Sequence, residues 1–263
     1  MKHVAKKRFG QNFLTDQAIT NSLIEAINPQ DNQFIIEIGP GLGALTKPLL
    51  AKIEHLHVVE IDRDIVSWMQ TEYAKPAYAK NTLTVHNVDA LKFDFSSLSS
   101  NLRVTGNLPY NISTPILFHL LQNISHITDM HFMLQKEVVE RMVAQPSTPA
   151  YGRLSVMLQY DLAMEYLITV PPEAFEPAPK VESAFVRCVP HGKLPFVAND
   201  TKLFARVVLA AFGQRRKTLR NTLKGLLDDA GFAALNINPQ LRAENLSVAE
   251  FVTISNYVGN SLV

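Results

Sequence analysis

Residues 34–46 read FIIEIGPGLGALT, a short apolar run followed by three closely spaced glycines. The apolar run has the length and the β-branched content of a buried strand. Gly39, Gly41 and Gly43 allow a sharp turn and a close approach of a ligand to the backbone. The stretch therefore predicts a strand, a tight loop and a following helix, which is the first unit of an α/β fold.

The first two thirds of the chain repeat this alternation of strand-like and helix-like segments, as in a parallel sheet with helices on both faces. The predicted parallel strands are residues 34–38, 55–61, 82–86, 102–105 and 130–134. A helix that Thr15 or Asp16 can cap precedes them and stops at Asn28. Residues 164–170 and 181–189 have no helix between them, which predicts an antiparallel hairpin at one edge of a seven-stranded sheet.

The character of the chain changes after Pro190. Residues 191–200 resemble a linker, and the remainder predicts only helices, at 203–212, at 216–230 and, after a Ser247 cap, at 248–262. We therefore expect an α/β domain over residues 1–191 and a small all-helical domain over residues 192–263.

Composition and charge indicate a globular protein without a membrane span. The chain has 263 residues, 47% of them hydrophobic, and a formal net charge of +1. Residues 192–263 hold nine Lys and Arg against five Asp and Glu, so the basic excess lies in the C-terminal quarter. A single cysteine, Cys188, and the lack of an apolar stretch behind the N-terminal basic residues Lys2, Lys6, Lys7 and Arg8 predict a cytoplasmic location. The histidines show no grouping typical of metal ligands.

The glycine stretch predicts a cofactor site in which Gly39 and Gly41 approach the ligand. Glu60, at the end of the second strand and 21 positions after Gly39, can accept both hydroxyls of an adenosyl ribose. Dinucleotides and S-adenosylmethionine both fit this layout, and the Gly-x-Gly-x-Gly spacing favours S-adenosylmethionine. Asp89, just beyond the third strand, can accept from an adenine amino group. The alternative is that the glycines only make a tight turn.

Residues 106–113 read GNLPYNIS and follow the fourth strand, at the same sheet edge as the glycines. The Asn107 side-chain oxygen and the Leu108 carbonyl, held still by Pro109, form a pair of acceptors. Two acceptors suit an exocyclic amino group such as that of adenine, and Tyr110 offers a flat face for the base, worth ~1–3 kcal/mol of stacking. The alternative is a capped loop with Tyr110 as core filler.

A base that leaves its stack is normally gripped on both faces. Phe175, in the proline-rich loop PPEAFEPAPK, is the candidate for the second face. It is equally consistent with the sequence that the ring packs on the prolines of its own loop.

A basic cluster at the start of the predicted helix 216–230 is the candidate for binding RNA phosphates. It comprises Arg215, Arg216, Lys217 and Arg220. Taken alone, such a run is more often a solvated helix face.

Together these motifs resemble one known family. They are KRFGQNFL (7–14), EIGPGLGALT (37–46), VEID (59–62), GNLPYNIST (106–114), MLQKEV (133–138), YGRLSVMLQY (151–160), AFEPAPKVESAFVR (174–187), FGQRRKTLRNTL (212–223) and AENLSVAEF (243–251). They are similar to the bacterial ribosomal RNA small-subunit adenine N6,N6-dimethyltransferases, from about residue 7 to residue 257. The glycine motif alone is common to many methyltransferases, whereas the combination is specific.

The resemblance implies a Rossmann-like, S-adenosylmethionine-dependent methyltransferase domain and a small helical domain that binds RNA or the ribosome. It implies two methyl groups on each of two adjacent adenosines, in a hairpin loop near the 3′ end of 16S ribosomal RNA within the assembling 30S particle, by a monomeric enzyme. By matching motif, Asn12 and Leu14 help hold the cofactor and Gly39 lies against its methionine part. Glu60 takes the ribose, Asp89 takes the adenine amine, and Asn107 bridges cofactor and target nitrogen.

Two other functions stay open at this point. The related methyltransferases that modify an adenine of 23S ribosomal RNA have nearly the same GNLPYNIS motif, although the two C-terminal motifs favour the small-subunit enzyme. A non-catalytic assembly factor for the 30S particle is the other, and the intact glycine stretch, Glu60 and Asn107 argue against it.

Overall fold

The structure is a computed structural model that describes residue 6 and residues 10–78 and 81–261. Lys2, Lys7 and Arg8 of the N-terminal basic cluster lie outside these residues. By Cα proximity the chain divides into two compact units. Unit 1 comprises residues 1–139 and 165–190, and unit 2 comprises residues 140–164 and 191–263.

The junction after residue 190 lies next to the predicted boundary at residue 191, but residues 140–164 group with the C-terminal residues and not with the α/β domain. Packing explains this. Val156 and Tyr160 are buried in the same apolar cluster as Phe204, and the rings of Tyr160 and Phe204 lie 4.7 Å apart.

The strands of the described residues build one seven-stranded sheet and one small two-stranded sheet. In chain order, β1 to β9 are Phe13–Leu14, Phe34–Ile38, His55–Val59, Thr82–His86, Leu102–Asn107, Ile127–Gln135, Leu162–Val170, Phe175–Glu176 and Ser183–Pro190. The large sheet has the order β4-β3-β2-β5-β6-β9-β7, and β1 pairs with β8. The seven predicted strands are therefore confirmed.

Five consecutive strands of the sheet, from the edge strand β4 through β3, β2 and β5 to β6, are parallel, as the alternation with helices predicts. β9 is antiparallel to β6, and β7 lies beyond β9 at the edge. Because β2, β3 and β5 are parallel neighbours, their carboxyl ends at Ile38, Val59 and Asn107 meet at one edge of the sheet.

Five α-helices of the described residues begin in unit 1. They are α1 (Gln17–Ile27), α2 (Thr46–Leu50), α3 (Arg63–Glu72), α4 (Ser113–Leu121) and α5 (Lys136–Val143). Asp16 caps α1 by accepting from the Ile19 amide at 2.9 Å, as predicted. Leu23 of α1, Leu49 of α2 and Met69 of α3 are fully buried in one cluster with strand residues of β2 and β3.

Unit 2 is helical. Its helices are α6 (Arg153–Asp161), α7 (Thr201–Ala211), α8 (Leu219–Thr222), α9 (Asp229–Ala234) and α10 (Val248–Asn260). Ser247 caps α10 with a capping box to Glu250, as predicted.

The predicted helix 216–230 is wrong. α8 is a single turn that ends at Thr222, and Gly225 then adopts a φ of 86°. Asp228 starts a separate helix by accepting from the Gly231 amide at 2.8 Å. A positive-φ glycine and a new cap interrupt a sequence whose apolar spacing suggested one helix.

In the part of the chain that the structure describes, no helix combines the length and hydrophobicity that a membrane span requires. Across the same residues, no three His, Cys, Asp or Glu side chains are grouped in a way that could hold a metal ion.

Candidate active site

A cleft of about 340 Å³ opens where the carboxyl ends of β2, β3 and β5 meet. This is the edge at which parallel α/β sheets bind ligands. Most of the predicted site residues of unit 1 line it together, namely Asn12, Leu14, Gly39, Gly41, Glu60, Asp89, Asn107, Leu108 and Tyr110. The topology therefore gathers into one cleft residues that are up to 98 positions apart in the sequence.

The glycine loop, residues 39–45, forms one wall of the cleft. Gly39, Gly41 and Gly43 adopt φ values of 66°, 53° and 81°. Other residues rarely adopt this left-handed conformation. A Cβ on Gly41 would also lie 3.0 Å from the Phe13 ring. The three glycines are thus required for the path of the loop, which leaves its backbone open to a ligand.

Two buried carboxyl groups, those of Glu60 and Glu37, line the cleft. Glu60 is 6% exposed and accepts from the Asp62 amide at 2.8 Å, and burial raises its pKa. Glu37 is 1% exposed and accepts from the Thr46 hydroxyl at 2.6 Å, and burial raises its pKa to about 8. Buried carboxyl groups favour a ligand that brings hydroxyl donors or positive charge.

Asp89 lies at the same edge of the sheet, where it is the N-cap residue of the short 3₁₀ helix Ala90–Lys92. One of its carboxylate oxygens accepts from the Leu91 amide at 3.0 Å. The other has no partner among the described residues and can accept from a ligand in the cleft.

The N-terminal segment, residues 10–14, forms part of the cleft wall. Its end is fixed by pairing of β1 with β8, in which Leu14 lies opposite Phe175. Farther back, the Lys6 ammonium contacts both Asp62 and Asp64 at 2.6 Å. The resemblance alone implied Asn12 and Leu14, because no pattern within KRFGQNFL predicts that this segment lies against β5.

The NLPY loop, residues 107–112, forms the wall that follows β5. The side-chain nitrogen Nδ2 of Asn107 donates to the backbone carbonyl of Asn12 at 3.0 Å, which leaves the side-chain oxygen of Asn107 as an acceptor. The Leu108 amide donates to the Met133 carbonyl at 3.1 Å. Among the described residues no donor bonds to the Leu108 carbonyl. Within the described residues, neither the Asn107 side-chain oxygen nor the Leu108 carbonyl therefore has a hydrogen-bond donor, and their role as a pair of acceptors stays a prediction.

Tyr110 is half-buried and lines the cleft. Its hydroxyl lies 2.7 Å from the Ser183 hydroxyl on β9. Burial raises the pKa of the Tyr110 phenol, so the group is neutral at physiological pH. The ring is thus held at its outer end by a hydrogen bond and is only partly buried.

The prediction for Phe175 is not supported. The ring is 4% exposed and is buried in a cluster with Leu14, Phe185 and Val170. The pairing of β8 with β1 draws the residue into this core, so in this structure the ring offers no face to a base.

The basic cluster lies in unit 2, in the turn between α7 and α8 and in α8 itself. Two of its arginines have acidic partners: the Arg215 guanidinium lies 3.8 Å from Glu244, and that of Arg220 lies 3.0 Å from Asp229. Arg215 also donates to the Pro149 carbonyl at 3.0 Å. Arg216 and Lys217 are exposed, and within the described residues neither forms an ion pair. Arg215 and Arg220 therefore have acidic partners, whereas Arg216 and Lys217 are available to bind an anion.

Sequence reasoning assigned no role to Glu37 and Ser183. An acid inside the apolar strand FIIEI was a usable signal, because a buried carboxylate needs a partner or a ligand. Ser183 gave none, since a serine in a strand is unremarkable and its partner Tyr110 is 73 residues away.

A family model described as ribosomal RNA adenine dimethylase matches residues 2–260. The ribosomal RNA small subunit methyltransferase A of Methylobacillus flagellatus is 70% identical over 258 residues, which cover 98% of this chain and 99% of that one. The protein of the same name from Thiobacillus denitrificans is 57% identical over 256 residues, which cover 97% and 98%.

Among solved structures, a dimethyladenosine transferase from Plasmodium falciparum superimposes with a TM-score of 0.77 at 25% identity, covering 92% of this chain and 95% of that one. The 23S rRNA methyltransferase ErmE superimposes with a TM-score of 0.73 at 20% identity, covering 94% and 100%. The second likeness shows the fold alone, which is that of a Rossmann-like methyltransferase. Since the family model spans nearly the whole sequence, the chain belongs to the ribosomal RNA adenine dimethylase family.

Proposed function

We propose that this protein is a 16S ribosomal RNA adenine N6,N6-dimethyltransferase. It transfers four methyl groups from S-adenosylmethionine to two adjacent adenosines in the hairpin loop near the 3′ end of 16S ribosomal RNA, within the 30S particle. The observation that carries the proposal is the NLPY loop, with two unused acceptors and a tethered aromatic ring in one cleft. The names of the relatives support the small-subunit target.

The cleft fits S-adenosylmethionine. Glu60 would accept the ribose hydroxyls, and Asp89 would accept the adenine amino group through its unused oxygen. The glycine loop, Asn12 and Leu14 would enclose the methionine part. When bound, the cofactor supplies a methyl group on a positively charged sulfur.

The NLPY loop would activate the target nitrogen through hydrogen bonds. The lone pair of an adenine amino group is delocalised into the ring, which makes the nitrogen a poor nucleophile. By accepting both hydrogens, the Asn107 oxygen and the Leu108 carbonyl favour a tetrahedral nitrogen and free its lone pair. No general base is needed beforehand, because the nitrogen becomes acidic once it has four substituents. The neutral Tyr110 ring would carry the base.

Arg216 and Lys217 of unit 2 would contact RNA phosphates, with Arg215 and Arg220 contributing less because acids already neutralise them. We expect that Arg216→Ala with Lys217→Ala lowers affinity for 30S particles and reduces the slope of log affinity against log salt by about 1–2. Arg220→Ala should change the slope less. An unchanged slope in the double variant would contradict this assignment.

The enzyme would act as a monomer in the cytoplasm, during biogenesis of the 30S particle. The likeness to a 23S rRNA methyltransferase keeps a large-subunit target as the second candidate, because the fold is shared. A purely non-catalytic assembly role is disfavoured by the complete set of cleft residues.

The test is to incubate the protein with labelled S-adenosylmethionine and either unmethylated 30S or 50S particles, and to locate the label by primer extension. Label at two adjacent adenosines near the 3′ end of 16S ribosomal RNA is expected. An Asn107→Ala variant is the control and should transfer little label. Label confined to 23S ribosomal RNA, or none from the unaltered protein, would overturn the proposal.

A further inference from the structure

One hydrogen bond ties the NLPY loop to a strand outside the cleft wall. The Tyr110 hydroxyl lies 2.7 Å from the hydroxyl of Ser183, the first residue of β9. Tyr110 lines the cleft, whereas Ser183 is fully buried with 0% exposure. A buried serine that bonds the outer end of a half-buried ring can control where that ring points.

Hydrogen bonds of the large sheet hold the backbone around Ser183 in place. It pairs with Gln135 in the antiparallel ladder between β6 and β9. The next residue pair is also held, because the Lys136 amide donates to the Glu182 carbonyl at 3.0 Å. The anchor point of the tyrosine hydroxyl is therefore fixed by the sheet.

The backbone of the NLPY loop is fixed independently of this bond. The Leu108 amide bonds to Met133 of β6, and the Tyr110 carbonyl accepts from the Ser113 hydroxyl at 3.1 Å. These contacts do not restrain the two side-chain torsions of Tyr110. The bond to Ser183 is the polar contact that restrains them, since no other hydrogen bond to the Tyr110 side chain occurs in the described residues.

We propose that Ser183 is a positioning residue for methyl transfer, whose hydroxyl holds the Tyr110 ring with one face toward the cleft so that it can support the target base. The inference rests on the proposed function, because it presupposes that Tyr110 carries the base. Ser183 itself is fully buried and does not line the cleft. Ser183 orients the Tyr110 ring, whereas other hydrogen bonds hold the backbone of the NLPY loop.

The test removes the hydrogen bond from each side. Ser183→Ala removes the anchor, Tyr110→Phe removes the hydroxyl without altering β9, and the double variant removes both. We expect each single variant to lower kcat about 3- to 10-fold, the loss expected for one hydrogen bond, with cofactor Kd unchanged. Tyr110→Phe should also lower Tm, because it leaves the buried Ser183 hydroxyl without a partner. The double variant should lose no more than either single variant, because one interaction is lost in all three.

A matched control and a second readout separate positioning from a structural role. Tyr166→Phe removes a similar bond, from the Tyr166 hydroxyl to Thr169 at 2.8 Å on β7, and should leave kcat unchanged. Target RNA in which 2-aminopurine replaces one of the two adenosines to be methylated reports, by its fluorescence, whether that base stacks on the Tyr110 ring. Its quenching on binding should be weaker in Ser183→Ala and Tyr110→Phe at equal RNA affinity.

Two outcomes would overturn the inference. Losses of kcat in Ser183→Ala and Tyr110→Phe that multiply in the double variant, or wild-type kcat and quenching in both, would show that the bond does not position the ring. Tyr110→Ala distinguishes the proposals. If it lowers transfer strongly while the two single variants behave as wild type, only the role of Ser183 fails. If it leaves transfer intact, the assigned role of Tyr110 fails as well.

Discussion

The glycine loop and the NLPY loop follow neighbouring strands and line the same cleft, yet they are fixed by different means. The glycine loop depends on three glycines with positive φ, and side chains would block its path. The NLPY loop has no residue with positive φ in the described structure and is held by Pro109 and by hydrogen bonds to Asn12, Met133 and Ser183. The glycine loop presents its backbone to a ligand and leaves room for it. The NLPY loop presents side chains that are held at fixed positions. We therefore expect substitutions in the first to change ligand affinity and those in the second to change the rate of transfer.

Gly106→Ala should have the largest effect, because it affects both loops at once. Gly106 lies on β5 where a Cβ would overlap the carbonyl oxygen of Ile38 at the end of β2. Neither backbone can move without shifting a strand end, so the free energy of unfolding should fall by about 3 kcal/mol. Urea denaturation measures this. Gly192→Ala, where no atom lies within 4 Å of the new Cβ, is the control and should be close to neutral.

Glu37→Gln should remove the buried carboxyl group on β2, two residues before the glycine loop. The NLPY loop contains no acid or base that ionises near neutral pH, so it has no counterpart to this group. An unfolded glutamate ionises around its ordinary pKa of 4.5, whereas burial raises the pKa of folded Glu37 to about 8. Between these values the folded state binds one more proton, so the contribution of Glu37 to stability declines as pH rises, by up to about 1.4 kcal/mol per pH unit.

The variant should therefore gain stability relative to the unaltered protein between pH 5 and pH 8, with little difference at pH 5. Denaturation at several pH values measures the gap. Glu25→Gln on the exposed surface of α1 is the control. A gap that does not grow with pH would show that Glu37 is ionised in the folded protein.

Tyr110→Ala should separate rate from affinity. Loss of a stacking face costs ~1–3 kcal/mol, so transfer should fall by about 5- to 150-fold while cofactor Kd stays nearly constant. Single-turnover assays with saturating cofactor and calorimetric titration give the two quantities. Equal losses in both would mean that the ring holds the cleft together and does not serve the base.

Gly41→Ala should give the opposite and smallest result. A φ of 53° and a Cβ 3.0 Å from the Phe13 ring impose strain on the glycine loop of about 1–2 kcal/mol. Cofactor Kd should rise about 5- to 30-fold, and transfer at saturating cofactor should be retained. If the rate at saturation fell as far as the affinity, the proposed division between the two loops would be wrong.

The sequence by itself determined the fold class and the location of the cleft. Strands and helices alternate visibly, and parallel strands bring their carboxyl ends together, so GPGLG, Glu60 and NLPY had to meet at one edge. Asp16 and Ser247 were identifiable as caps because capping depends on neighbouring residues only. Local pattern and topology are enough for such features.

Only the tertiary structure decided which side chains are available and what holds them. Pairing of β8 with β1 buried Phe175, and β9 brought Ser183 to the Tyr110 hydroxyl. Acidic partners from later elements of unit 2 distinguished Arg215 and Arg220 from Arg216 and Lys217. These contacts join residues with no local pattern in common. Burial also set the pKa of Glu37, because the cost of ionising a carboxyl depends on what surrounds it in space.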